Sequence, residues 1–462
     1  MCRIGGLLAL ALLAACTQKA GRDATLFRMA AVSDEPQATM AGREVLLQGG
    51  TAADAAVAMA MTMSVTLPSR VGLGGGGACL VHDPETGTVR ALDFLPRAPG
   101  GPGGAAQPLL LRGLAALHAE YGAVRWEAAM VKAENAARFG VPVSRALARD
   151  VEAAAAAGRP LALTGPAGLP LREGEQLEQP ALAGLLSEIR IGGAGAFYNG
   201  SLGRDYAEAA SAAGWPLTAQ SVREARPRWI EPATTRFGRD VLSFLPDPVA
   251  PGGALRGAWL AAENTLDDRD LAVDERLVRL AAAQRAGGPA LAADGAATLV
   301  ALSNDGMAVA CGLTINGAFG TGQRLPANGV FVAPAPGPDA LLGGVAMLVN
   351  QPKSQFLFGG AADSPAALLV PMTEVLLREE ALTAAMEAAR GGVDPADGAV
   401  IVETAAGPAA IDRLTRDGYA VRTAPSLGRA SAIFCLWDRA SSSFCSAVAD
   451  PRGSGLAFIV EG

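Results

Sequence analysis

Residues 294–322 read DGAATLVALSNDGMAVACGLTINGAFGTG. Residues 298–302 and 307–314 are apolar and partly β-branched, and they flank Asn304-Asp305-Gly306, which is the pattern of two strands joined by a tight turn. Thr298 opens the first strand, Thr314 closes the second, and Asn316 follows before a Gly-Thr-Gly corner at 320–322. Ala296 and Ala297 stand just ahead of the first strand. A hairpin is expected here.

On the N-terminal side, residues 37–48 carry Met40, Val45 and Leu46 on one helical face and stop at Gly49-Gly50. Thr51 with Asp54 three positions on forms a capping-box pattern for a second helix, which Pro68 ends. A glycine run, Gly72 and Gly74 to Gly77, leads into strands at 78–82 and 88–94 around a Pro84-Glu85-Thr86-Gly87 turn. The glycines invite a phosphate-loop reading, but no Lys-Ser/Thr follows and a strand rather than a helix comes next. Close backbone packing in a sheet is the better account.

Between residues 109 and 263 the pattern is of short helices, at 114–121, 126–136, 144–156, 180–188, 202–213 and 218–224, with a strand near 241–244. Strands are also expected at 330–332, 355–358, 399–402, 432–437, 443–448 and 456–460, and helices at 366–379 and 409–417. Strands at both ends with helices massed between them predict one layered α/β (α+β) unit over residues 27–462.

The 462 residues carry 38 Lys and Arg against 45 Asp and Glu, a formal net charge of −7, without a basic run. This argues against nucleic acid as a partner. The 57 Gly and 30 Pro stay below the share of a low-complexity chain, so a turn-rich globular protein is expected. Arg3, an apolar run over 4–14 and Leu13-Ala14-Ala15-Cys16 resemble a bacterial lipoprotein signal. That reading makes residues 1–16 a signal peptide lipidated at Cys16, 17–26 a tether, and the protein an envelope lipoprotein facing the periplasm. An ordinary secretory signal cleaved nearby is the alternative. In an oxidising compartment Cys79, Cys311, Cys435 and Cys445 are candidates for disulfides. Cys435 and Cys445 flank an expected turn at 438–443, where a cross-strand bridge is sterically allowed; four small buried apolar side chains is the other reading.

His82 and His118 are the two histidines. The residue inventory therefore argues against a histidine triad or a multi-histidine metal site, and no Cys-x-x-Cys or HExxH pattern occurs. An enzyme built on this chain needs another base. One solution is a chain-terminal Thr whose own α-amine, titrating near ~8, takes the hydroxyl proton.

Several motifs spread along the chain, ATMAGREVLLQGGTAADAAVAMAM, VGLGGGGACLVHDPETGTVRALDF, GAFYNGSLGRDYAEAASAAGWPLT, NDGMAVACGLTINGAFGTG and CSAVADPRGSG, resemble the γ-glutamyltranspeptidase family. The resemblance implies a four-layer αββα sandwich of the N-terminal-nucleophile hydrolase type, self-cleavage before a Thr, γ-glutamyl transfer or hydrolysis, and no metal or organic cofactor. It divides the domain into a large-subunit-like part, 27–295, and a small-subunit-like part, 296–462. Its ligand would be a small γ-glutamyl or acidic molecule.

Residue by residue, the nucleophilic Thr of the family falls on Ala296, and its carboxylate-clamping Arg on Leu95, with Arg97 two residues on as a substitute. The acidic amine-binding residue falls near Pro338, the paired serines near Gly343-Gly344, and the oxyanion glycines on Asp363-Ser364, with Gly359 and Gly360 upstream. Thr314 and Asn316 match retained positions. Thr298 is the nearest hydroxyl that could replace the nucleophile, but it lies two strand residues, roughly 6–7 Å, from the expected place. The expectation is a degenerate, uncleaved member with a binding or structural role. The alternative is an amide hydrolase or transferase that cleaves before Thr298 and holds its substrate with Arg97, Asn316, Gly359 and Gly360.

Overall fold

The computed structural model describes residues 28–99, 103–159, 163–165, 168–247, 249, 253–288, 295–336, 342–437 and 443–460. Cys16, the tether, Pro338 and most of the 438–443 turn lie outside the described residues.

The strands in chain order are β1 (Met29–Ser33), β2 (Gly76–Asp83), β3 (Thr88–Phe94), β4 (Val141–Pro142), β5 (Gln176–Leu177), β6 (Arg228–Ile230), β7 (Ala233–Phe237), β8 (Asp240–Phe244) and β9 (Ala296–Leu302). There follow β10 (Ala308–Thr314), β11 (Val345–Asn350), β12 (Gln355–Ala362), β13 (Gly391–Val393), β14 (Val400–Glu403), β15 (Val421–Ala424), β16 (Ala430–Trp437), β17 (Ser443–Ala449) and β18 (Leu456–Val460). One sheet has seven strands in the order β18-β1-β9-β10-β2-β3-β6, and a second has six in the order β17-β16-β12-β11-β8-β7.

Alternation along β9 assigns the layers. Ala297, Leu299 and Ala301 join the apolar cluster under the first helix layer, whereas Val300 and Leu302 join the cluster between the sheets. The second sheet repeats this: Met347, Phe356 and Ile433 point inward, and Leu348, Phe358 and Ala432 point to the other helix layer. The first helix layer contains α1 (Pro36–Leu47), α2 (Ala52–Thr66), α3 (Leu110–Tyr121), α4 (Trp126–Phe139), α5 (Arg145–Ala156), α6 (Pro180–Asn199), α7 (Ser201–Ala212) and α8 (Ala219–Glu224). The second contains α9 (Ala254–Ala262), α10 (Val273–Gly287), α11 (Pro365–Leu376), α12 (Leu382–Glu387) and α13 (Pro408–Arg416). The result is the expected αββα sandwich.

Local chemistry explains the anchoring elements. Thr51 caps α2 in the capping box that its spacing predicts, and every residue of α2 is buried. Small side chains let α1 approach closely, since a Cβ at Gly42 would sit 2.6 Å from Met59. The glycine run serves the same end: a Cβ at Gly74, Gly76 or Gly77 would collide with backbone carbonyls of Phe331, Phe94 or Gly312. Two disulfides join neighbouring strands, Cys79–Cys311 between β2 and β10 and Cys435–Cys445 between β16 and β17.

Some expectations need correction. Residues 330–332 do not form a strand; Phe331 makes an isolated bridge to Arg324, and Val332 bonds to the loop at Thr321 and Gln323. Residues 273–287, for which no helix was expected, form the four-turn helix α10. β1, β11, β15 and α9 were not anticipated.

Candidate functional site

β9 and β10 pair in a register that sets Ala296 opposite Thr314 and Thr298 opposite Gly312. Ala296, Thr298 and Thr314 therefore share the face between the sheets, at the end of the sandwich where β1 also finishes. Gly295 has φ of +76°, and a Cβ there would collide with the Gly317–Ala318 peptide, so a glycine is required to let the chain enter β9 under this loop.

Around that entry, Thr314 Oγ1 donates to the Gly295 carbonyl at 3.4 Å and accepts the Asn316 N–H at 2.9 Å. Asn316 has φ of +57°. Its Nδ2 donates to the carbonyls of Pro334 at 2.9 Å and Pro96 at 3.4 Å, leaving Oδ1 buried with no partner among the described residues. The family resemblance matches Thr314 and Asn316 to retained positions; here Thr314 lies opposite Ala296, with Asn316 two residues on. Gly295, Ala296 and Ala297 offer no hydroxyl or thiol.

Thr298 is fully buried. Its N–H donates to Asp34 Oδ2 at 2.8 Å, its carbonyl accepts the Asp34 N–H at 3.3 Å, and its hydroxyl donates to Ser431 Oγ at 2.9 Å. It is a mid-strand residue tying the two sheets together. A cleft of about 360 Å³ lies beside the entry to β9, but it is lined by Arg159 and the 317–322 loop and does not reach Thr298.

Arg97 reaches back to β3. Its guanidinium pairs with Asp93, which also takes Arg228 at 2.6 Å and the Leu95 N–H at 3.1 Å. Asp93 is fully buried and committed to these partners. Gly359 and Gly360 are strand residues. They lie inside β12, paired with Met347 and Ala346 on one side and Ile433 and Ala432 on the other. A Cβ at Gly359 would press on Phe356, and one at Gly360 on Leu368 and Phe358. These glycines serve packing.

Asp363 and Ser364, at the oxyanion position, are used structurally. Ser364 Oγ accepts the Ala367 N–H at 3.1 Å as the cap of α11. Asp363 accepts the Arg429 N–H at 2.8 Å and pairs with its guanidinium at 2.9 Å. Gly343 packs so tightly here that a Cβ would collide with Ala362 and Asp363 backbone.

Sequence reading missed Asp34, Ser431 and Arg429, which close this end of the sandwich. Burial pushes the Asp34 carboxyl above its usual range, against the opposing pull of the Arg429 and Arg70 cations. Arg70 is itself held by Asp150, through contacts of 2.7 and 2.6 Å. The signal for Asp34 was present in the Ser33-Asp34-Glu35-Pro36 run, in which Glu35 caps α1 and Pro36 begins it.

Comparison with known proteins now decides the family. The model of the gamma-glutamyltranspeptidase family matches residues 38–287, more than half of the chain. The chain belongs to this family. It is 31% identical to human glutathione hydrolase 7 over 298 residues, covering 58% of this chain and 44% of that protein. It is 28% identical to the glutathione hydrolase proenzyme of Bacillus subtilis over 244 residues, covering 47% and 41%. The chain thus spans less than half the length of these curated relatives. Among solved structures, cephalosporin acylase from Bacillus halodurans superimposes with a TM-score of 0.79 at 20% identity, covering 94% of this chain and 96% of that one. That likeness establishes a shared fold. The family match ends at residue 287, ahead of Ala296.

Proposed function

We propose that this γ-glutamyltranspeptidase-family protein has lost the family's self-cleavage and γ-glutamyl transfer. It acts as one uncut chain in the bacterial envelope, held by lipid on Cys16, with a binding or structural role. The observation that carries the reading is Thr298: the first hydroxyl downstream of Ala296 is bonded at its amide, carbonyl and side chain inside β9. Catalytic geometry tolerates about 1 Å of misplacement, and freeing an α-amine at Thr298 would break β9 at its Ala297–Leu313 pair. The pairing of Arg97 with Asp93 and of Asp363 with Arg429 supports the same reading, because both positions are engaged by oppositely charged partners within the fold.

What persists of the old pocket is Thr314, Asn316 and the buried Asn316 Oδ1, an acceptor suited to an ammonium or amide donor of a small γ-glutamyl or acidic ligand. Turnover of a γ-glutamyl anilide tests the proposal. Purified protein is expected to give no turnover above that of its Thr298→Ala variant. Turnover that depends on the Thr298 hydroxyl would establish the competing reading, an amide hydrolase or transferase working from a new chain terminus.

A further inference from the structure

Leu436 and Phe444 face each other across β16 and β17, yet they are 59% and 56% exposed. β17 is an edge of its sheet, and a directly opposed Leu–Phe pair on an edge strand is a surface that soluble proteins usually cover. One neighbour stands out. The guanidinium of Arg28 lies 5.9 Å from the centre of the Phe444 ring, and Arg28 immediately precedes β1, so the chain from Cys16 enters the fold at this corner.

We propose that this corner rests on a lipid bilayer, with Leu436 and Phe444 in the interface and Arg28 among the headgroups. The proposal rests on the reading of Cys16 as lipidated. Twelve residue steps separate Cys16 from Arg28, a reach of at most about 40 Å, so an anchored chain holds Arg28, with Phe444 beside it, within that distance of the membrane. Two interfacial apolar side chains and a cation then add a second, orienting contact to the lipid anchor. The strand direction gives the consequence. At the far end of the same strand pair, Ser431 sits opposite Ala449 and accepts the Thr298 hydroxyl. The end of the sandwich holding Ala296, Thr314 and Asn316 accordingly faces away from the bilayer.

Trp437, next to Leu436, reports on this contact. Full mature protein carrying acyl chains on Cys16 is reconstituted in phosphatidylcholine–phosphatidylglycerol vesicles with or without brominated acyl chains. Bromine should lower the tryptophan emission, Trp437→Phe should remove most of that loss, and Leu436→Ser/Phe444→Ser should reduce it while the protein stays anchored. Equal emission in both vesicles, with the acyl chains present by mass, would overturn the proposal without touching the anchor. An unacylated Cys16 would overturn both. A concentration-dependent dimer in detergent that the double variant abolishes would assign the pair to a second copy and overturn the membrane contact.

Discussion

Thr298 is held through its amide, its carbonyl and its hydroxyl, all of them buried. A buried hydroxyl that loses its partner costs about 1–3 kcal/mol. Thr298→Val, which keeps the shape and deprives Ser431 of its donor, is therefore expected to lower the unfolding free energy by that amount, seen as a lower denaturation midpoint at an unchanged slope, and to leave the polypeptide pattern on a gel as it was. Asp34 gives a second prediction. Because burial raises its pKa from 3.8, the folded protein keeps a proton that the unfolded chain has already lost, and stability falls as pH rises through that window. Asp34→Asn can still accept the Thr298 N–H, and it should remove this part of the slope when melting temperature is followed from acid to neutral pH. Sequence showed that Ala296 lacks a nucleophile. It could not show that Thr298 is locked, because Asp34 and Ser431 are 264 and 133 residues away.

At the scale of elements, the disulfides and the tight glycines make the strongest claims. Cys79–Cys311 spans a sequence separation of 232, and Cys435–Cys445 one of 10. Loop-closure entropy gives roughly 5 and roughly 3 kcal/mol respectively. The Cys79→Ala/Cys311→Ala protein should melt lower than the Cys435→Ala/Cys445→Ala protein, and none of the four thiols should titrate in denaturant before reduction. Gly343→Ala should also destabilise, by about 1–3 kcal/mol, since its Cβ would meet backbone rather than a side chain that can swing away; chemical denaturation measures it. The elements legible in the sequence were those with punctuation, such as α2 with its capping box and the β9–β10 hairpin with its Asn-Asp-Gly turn. β11, VAMLVN, is buried on both faces and shows no alternation to read. β1 is a five-residue buried strand of the same kind.

Over the whole molecule, the fold was legible because the motifs carrying the family resemblance are dispersed from α1 to β17, and each occupies a structural position that the sandwich needs. CSAVADPRGSG is an example. Asp450 accepts the Ala430 N–H at 2.9 Å and pairs with the fully buried Arg390 at 2.5 Å, while Arg452 holds Glu403 at 2.5 Å. The motif fixes the end of the second sheet whether or not catalysis survives, so the scaffold can keep the family's fold under the proposed loss of its chemistry at Ala296, Leu95 and Gly343-Gly344. The proposed loss of self-cleavage requires that the large- and small-subunit-like parts, 27–295 and 296–462, remain covalently joined. Mass spectrometry of the purified mature protein, intact and after proteolytic digestion, tests this most directly. The account predicts a single polypeptide and a digestion product containing Gly295 through Thr298. Two polypeptides, one of them beginning at Thr298, would contradict it.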